Sequence, residues 1–241
     1  MRLALLQIND GEEIYLIDTI LINNPGNDCS FLFSESVTKI FHSCKEDIEA
    51  IYSWTGEVIV NLFDTQLANA LLGGMYSIGY QGLVEKKMDI TIDKKETRSN
   101  WIRRPLTDSQ LNYAASDVEF LIPLYIEQNN ELAKFSKKDW HDEDLNSLIQ
   151  TIFSPLTTVN EIECKLTRKE ESNLLNKFNE IVINISGKEK INPTLFFSKK
   201  NQKEFLRLAL DRGLEEASIS LTNWRMNLIK NPLENLLSEY Q

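Results

Sequence analysis

Apolar and polar positions alternate along this chain in two distinct rhythms. Residues 3–8 are almost wholly apolar, Asn9-Asp10-Gly11 is a turn signal, and residues 14–17 resume apolar character. Two such runs across a short turn predict a β-hairpin, and the unbroken first run predicts a strand buried on both faces. Residues 23–27, with Pro25 and Gly26 inside, read as a loop. Residues 37–41 form a short β-rich run ending at His42, and residues 58–63 form another. Between them Ser43 and Glu46 have the spacing of a capping box, which predicts a helix directly after His42 with Ile48, Ile51 and Tyr52 on its buried face. A second helix, 65–72, is expected after Asp64 and is stopped by Gly73-Gly74. Strands alternating with helices through short loops describe an α/β domain.

The second rhythm is helical. Thr107 and Gln110 form a capping box, so a helix starts at Asp108, with Ala114, Ala115, Val118, Leu121 and Ile122 as its apolar face. That register leaves Tyr113 and Asp117 one turn apart on a neighbouring face. A third box, Thr167 with Glu170, opens a helix striped by Leu174, Leu175, Phe178, Ile181, Val182 and Ile185. A helix through Phe205, Leu206 and Leu210 and a last one over 221–237, broken at Pro232, follow. The organisation expected is therefore an α/β domain over 1–140, a connection over 141–166 and an all-helical domain over 167–241.

The chain is long enough, at 241 residues and 42% hydrophobic, for one good core with a small satellite. No run of about eighteen apolar residues is present to span a bilayer, and the start turns polar too soon for a signal peptide, so a soluble cytoplasmic protein is expected. Three cysteines, Cys29, Cys44 and Cys164, lack metal-ligand spacing and point to reduced thiols. The net charge of -10 argues against indiscriminate polyanion binding. Residues 86–104, however, hold seven basic groups against three acidic ones, a local +4 that leaves -14 elsewhere. With Trp101 among them, these groups suit phosphates and stacked bases.

Asp47 and Asp117 lie on separate helices from which carboxylates can converge on divalent cations. Solvated helix acids are the plainer reading of each, and for Asp47 the helix dipole also supplies a reason. A satisfied structural residue is likewise the plainer reading of His42. There is no phosphate-binding Gly-rich loop and no nucleophile elbow.

The ordered set HSCKED at 42–47, FDTQLANALLG from Phe63, GYQGLVEK from Gly79 and DKKETRSNWIRRPLTDSQLNYAASDV from Asp93 resembles the ribonuclease D family. The resemblance runs over about residues 3–125. The tail from Thr167 is similar to the helicase-and-RNase-D C-terminal (HRDC) domain. The resemblance implies a ribonuclease H-like exonuclease domain of the DEDD class, in the subclass whose third motif carries Tyr. Asp47 and Asp117 then correspond to acids that hold a catalytic metal, Mg2+ or Mn2+, and Tyr113 to the residue that positions the attacking water. His42, Asp64, Tyr80, Lys94, Arg98, Trp101 and Arg104 are expected to support the cleft or guide RNA. The family's first motif, Asp-Thr-Glu on a central first strand, should precede the hairpin and has no counterpart in these residues, so an N-terminally truncated sheet is expected. The implied function is 3'-to-5' trimming of tRNA precursors and other structured RNA, impaired by the missing acids. A non-catalytic RNA-binding or scaffolding remnant of the same fold is the alternative. RNA is the expected partner; no membrane and no protein partner are indicated, and a monomer is expected.

Overall fold

A computed structural model describes residues 3–93, 95–154 and 166–240. The chain divides into two units, 1–68 with 77–136, and 69–76 with 137–241.

The first unit opens with β1 (Leu6–Asn9) paired antiparallel to β2 (Ile14–Ile17), Leu6 opposite Ile17 and Asn9 opposite Ile14. Asp10 builds the turn: its carboxylate accepts the Glu12 and Glu13 N–H groups at 2.9 and 2.8 Å. The short helix α1 (Pro25–Asp28) leads to β3 (Lys39–Phe41), then α2 (Lys45–Thr55), which Gly56 ends in the left-handed conformation at φ 78°. β4 (Leu62–Asp64) runs parallel to β3, with Lys39 opposite Leu62, and α3 (Thr65–Leu71) follows at once. α4 (Tyr80–Met88), α5 (Asp108–Glu119) and α6 (Leu121–Lys134) complete the unit. Ile78, Leu83, Val84, Ile92 and Leu124 form one buried cluster, with Tyr80, Met88 and Phe120 packed on it.

Among the described residues the strands form two separate two-stranded sheets. The expectation that β1 is buried on both faces fails, because all four of its residues remain half-buried. A strand is buried when neighbours cover it on both edges and both faces, and among the described residues β1 is paired to β2 alone. The expected strand over 58–63 is shorter than its apolar run and shifted to Leu62–Asp64.

Among the described residues the second unit is built of helices. α7 (Lys138–Phe153) occupies much of the stretch expected as a connection, and it buries His141, Asp144 and Leu145. The rest of that stretch, with Cys164, lies outside the described residues. α8 (Arg168–Glu189), α9 (Pro193–Phe196), α10 (Lys199–Arg212), α11 (Leu214–Ser218) and α12 (Asn223–Leu237) follow. The Thr167–Glu170 capping box forms as expected. Phe178, Phe197 and Phe205 meet with centroids 5.5 to 6.3 Å apart, and Phe196 stacks on Trp224 at 5.8 Å. Trp224 Nε1–H donates to Asp144 at 2.9 Å, and the same carboxylate pairs with Arg225. Lys137 is buried and spends its ammonium on the Leu71, Glu189 and Lys190 carbonyls, closing the C-terminal ends of α3 and α8. Pro232 sits inside α12 without breaking it. One lost backbone bond is tolerated there because Ile229, Leu233, Leu236 and Leu237 anchor the helix on both sides of it.

Candidate active site

α5 begins as its sequence dictates. The Gln110 N–H donates to Thr107 Oγ1 at 3.2 Å and the Thr107 N–H donates to Gln110 Oε1 at 3.0 Å. The Gln110 amide also reaches back to Ser99 Oγ at 2.6 Å, tying the preceding loop to the helix. With the start pinned, Tyr113 and Asp117 fall one turn apart and line a cleft of about 240 Å³ with Ala4, Leu5, Gln7, Thr97 and Trp101. The Tyr113 hydroxyl lies 3.2 Å from Thr97 Oγ1, and its ring sits 5.9 Å from Trp101, tilted by 43°. Burial pushes the Asp117 carboxyl up to about 6.

Trp101 is held by Arg104, but not as a phosphate guide would be. The Arg104 guanidinium grips Asp18 at 2.5 and 2.7 Å and also donates to the carbonyls of Ala4, Trp101 and Arg103. The paired Arg104 in turn holds the Asp18 carboxyl below the usual range. Of the other basic groups in 86–104, Lys87 pairs with Glu127 at 2.7 Å and Lys95 with Asp93 at 2.8 Å. Arg98 is exposed, and Lys94 lies outside the described residues. The positive stretch is thus partly neutralised by Asp93 within it and by Asp18 and Glu127 outside it.

At the start of α2 the structure corrects the sequence. The Ser43–Glu46 box does not form: Cys44 is the N-cap and makes no side-chain cap bond. Asp64, buried at the end of β4, takes its place. Its Oδ1 accepts the N–H groups of Ser43 (3.1 Å), Gln66 (2.8 Å) and Leu67 (3.1 Å), and its Oδ2 accepts that of Cys44 (2.8 Å). One carboxylate therefore caps α2 and α3 together, and it holds Ser43 in the left-handed region at φ 64°. Asp47 stands in the first turn of α2 and is exposed to solvent. Surrounding protein mass, then Asp64 and Glu46, push its carboxyl up to about 6.

His42 is fully engaged. A carbonyl only accepts, so Nε2 donates to Ile78 O at 2.9 Å, and Nδ1 meets Thr65 Oγ1 at 2.8 Å. Burial lowers its pKa. Tyr80, edge-on to His42 at 5.8 Å, donates to Ser116 O at 3.2 Å and accepts the Phe120 N–H at 2.9 Å, which fixes the junction between α5 and α6. His42, Asp64, Tyr80 and Arg104 thus brace the elements that carry Asp47, Tyr113 and Asp117. The sequence reading missed Thr97 and Asp18, since hydroxyls and acids in loops carry no local mark of a distant partner.

Tyr113, Asp117 and Trp101 share one cleft, and Asp47 is not among its lining residues. Burial alone raises Asp117, with no contribution from Asp47. Among the described residues no group of three or more His, Cys, Asp or Glu side chains is arranged to hold an ion. Two carboxylates on separate elements do not make a complete divalent-cation site.

A sequence profile described as 3'-5' exonuclease matches residues 1–133. The chain belongs to the 3'-5' exonuclease family. Over 149 residues it is 41% identical to a ribonuclease D of Pseudomonas paraeruginosa, an alignment covering 62% of this chain and 39% of that protein. The chain thus spans about two fifths of the length of the curated relatives it matches. Two solved structures share the exonuclease fold. Escherichia coli RNase D, described as an exoribonuclease involved in structured RNA processing, superposes with a TM-score of 0.61 at 22% identity over 98% of this chain and 64% of that one. Brucella melitensis NrnC with bound Mg2+ superposes with a TM-score of 0.55 at 24% identity over 66% of this chain and 83% of that one. The ribonuclease H-like exonuclease fold expected from the motifs is borne out. No helix among the described residues is long and apolar enough to cross a membrane.

Proposed function

We propose that this chain carries the substrate-end site of a 3'-to-5' exoribonuclease of ribonuclease D type, acting on structured RNA such as tRNA precursors. The observation that carries this reading is the placement of Tyr113, Asp117 and Trp101 in one cleft of an exonuclease-family domain. Tilted Trp101 and Tyr113 rings offer a stacking surface for a terminal base, a contact worth about 1–3 kcal/mol per base. The Tyr113 hydroxyl, placed beside Thr97, is positioned to orient a water or a ribose hydroxyl. Asp117, half-buried and raised to about 6, is charged at neutral pH and disposed to accept a hydrogen bond or a cation. A divalent metal, Mg2+ or Mn2+, fits this reading as the family's hydrolytic cofactor, with Asp47 and Asp117 as ligands. Among the described residues no third His, Cys, Asp or Glu joins them in a group arranged to hold an ion. The helical unit serves, on this reading, as an HRDC-like RNA-binding module of a monomeric cytoplasmic protein.

The shortage of acids favours one other reading, an RNA-binding or scaffolding protein that keeps the fold without the reaction. RNA labelled at its 5' end and carrying a photoreactive thiouridine at its 3' terminus separates the two. The exonuclease reading expects crosslinks to Trp101 or Tyr113, with slow or undetectable shortening from the 3' end only when Mg2+ or Mn2+ is added. Crosslinks confined to the helical unit would establish the second reading. Internal cuts, or robust trimming that survives Asp117→Asn, would overturn the first.

A further inference from the structure

Neither Asp18 nor Arg104 lines the cleft that holds Tyr113 and Asp117, yet together they set where one of its walls stands. A guanidinium carries five N–H groups in a fixed planar fork, and Arg104 uses all five. Nε and one Nη2 hydrogen grip the Asp18 carboxylate at 2.5 and 2.7 Å. The other Nη2 hydrogen goes to the Ala4 carbonyl at 2.8 Å, and Nη1 donates to the carbonyls of Trp101 and Arg103 at 2.8 and 3.1 Å. No N–H is left over for a phosphate. Two of the residues held in this way, Ala4 and Trp101, do line the cleft.

Asp18 is itself fixed. It follows β2 directly, and its Oδ1 also accepts the Ile20 N–H at 3.1 Å, capping the short turn at Thr19–Leu21. A carboxylate anchored at the end of a strand thus orients the guanidinium plane, and the plane orients the Trp101 carbonyl.

Trp101 lies outside any helix or strand, so its ring stands where the backbone ties on either side put it. On the N-terminal side the Gln110 amide reaches Ser99 Oγ at 2.6 Å and the Asn100 carbonyl at 3.4 Å. On the C-terminal side the tie is Arg104. Between them the half-buried indole is held 5.9 Å from the Tyr113 ring at a tilt of 43°. An amide in place of the Asp18 carboxylate would accept one N–H of the fork and turn an NH2 toward the other. The fork would then swing, and a carbonyl bond would be lost.

We propose that Asp18 is a positioning residue for the base of a 3'-terminal nucleotide: through Arg104 it sets the Trp101 ring beside Tyr113 at the angle on which that base stacks. The proposal rests on the exonuclease reading of the cleft. It assigns the ion pair to placing an aromatic surface, so its effect on RNA belongs to the terminal base and not to the phosphates.

The test measures binding of chain 1–241 to a short single-stranded RNA by fluorescence anisotropy, without divalent metal, the 3'-terminal nucleotide either carrying its base or abasic. The wild-type chain should bind the base-bearing RNA about fivefold or more tighter than the abasic one, and Trp101→Ala should abolish that preference. Asp18→Asn should abolish most of it while binding the abasic RNA as the wild type does. In the Trp101→Ala background Asp18→Asn should change affinity by less than about twofold, because both changes remove the same interaction. Arg104→Lys keeps the charge without the fork and should show the same base-selective loss; it carries the test if circular dichroism shows Asp18→Asn unfolded. A preference that survives these changes, an equal weakening of both RNAs, or a loss that adds to that of Trp101→Ala overturns the proposal and leaves the ion pair a brace of the fold. A wild-type chain indifferent to the terminal base overturns the proposal together with the stacking surface of the exonuclease reading.

Discussion

Asp64 offers the sharpest test of how the site is held, because one buried carboxylate accepts four backbone N–H groups from the starts of two helices. Asp64→Ala removes both oxygens and leaves those donors without their acceptor. Each bond to a charged acceptor is worth about 1.5–3 kcal/mol in isolation. Water reaches the exposed Ser43 end, and the cost of burying the charge is recovered, so the net loss is about 3–5 kcal/mol. Asp64→Asn keeps Oδ1 for Ser43, Gln66 and Leu67 but turns an NH2 toward the Cys44 N–H, and should cost about 2 kcal/mol. For a chain of this size each kcal/mol moves Tm by about 2–4 °C, so the alanine variant should melt about 10 °C lower. Near-UV circular dichroism of the first unit's transition measures this. NMR titration of Asp47 supplies an independent reading, since its carboxyl is raised partly by the Asp64 charge and should fall toward the ordinary range in either variant. Equal losses for Ala and Asn, or a loss under about 1 kcal/mol for Ala, would refute the two-helix cap.

Other consequences follow from the same geometry. The folded pKa of Asp117 lies above its unfolded value of 3.8, at about 6, so the folded state holds the extra proton between those values and stability declines as pH rises through that window. Asp117→Asn should therefore raise the unfolding free energy at neutral pH, by about 1–2 kcal/mol once solvent access to the carboxylate is allowed for, and the gain should fade as the pH is lowered through the same window; an equal gain at both ends contradicts burial as the cause. Arg104→Lys keeps the charge but loses the two-pronged grip on Asp18 and the carbonyl bonds, and should cost about 2 kcal/mol while leaving the salt dependence of RNA binding unchanged. Lys137→Met strips the acceptor-rich ends of α3 and α8 of their ammonium, and should lower the stability of the helical unit by about 2–4 kcal/mol in denaturant titration.

Local chemistry decided much of this protein from the sequence alone. The boxes at Thr107 and Thr167 formed because each bonding partner lies three residues away, and a pinned start with a 3.6-residue period is enough to set Tyr113 and Asp117 on one face. The hairpin and the stop of α3 before Gly73, at φ 85°, were legible for the same reason. What failed was decided at long range. Ser43 and Glu46 have the spacing of a cap, yet Asp64, about twenty positions on, holds the Ser43 N–H that the box would have used, together with the Cys44 N–H beside it. Arg104 reads as part of a basic stretch until the fold brings Asp18 to it across 86 positions. The apolar run at β1 predicts burial, but burial depends on what lies against an edge, and that edge borders an open groove. Spacing along a chain determines which groups share a face; only the tertiary structure determines which distant group reaches them first.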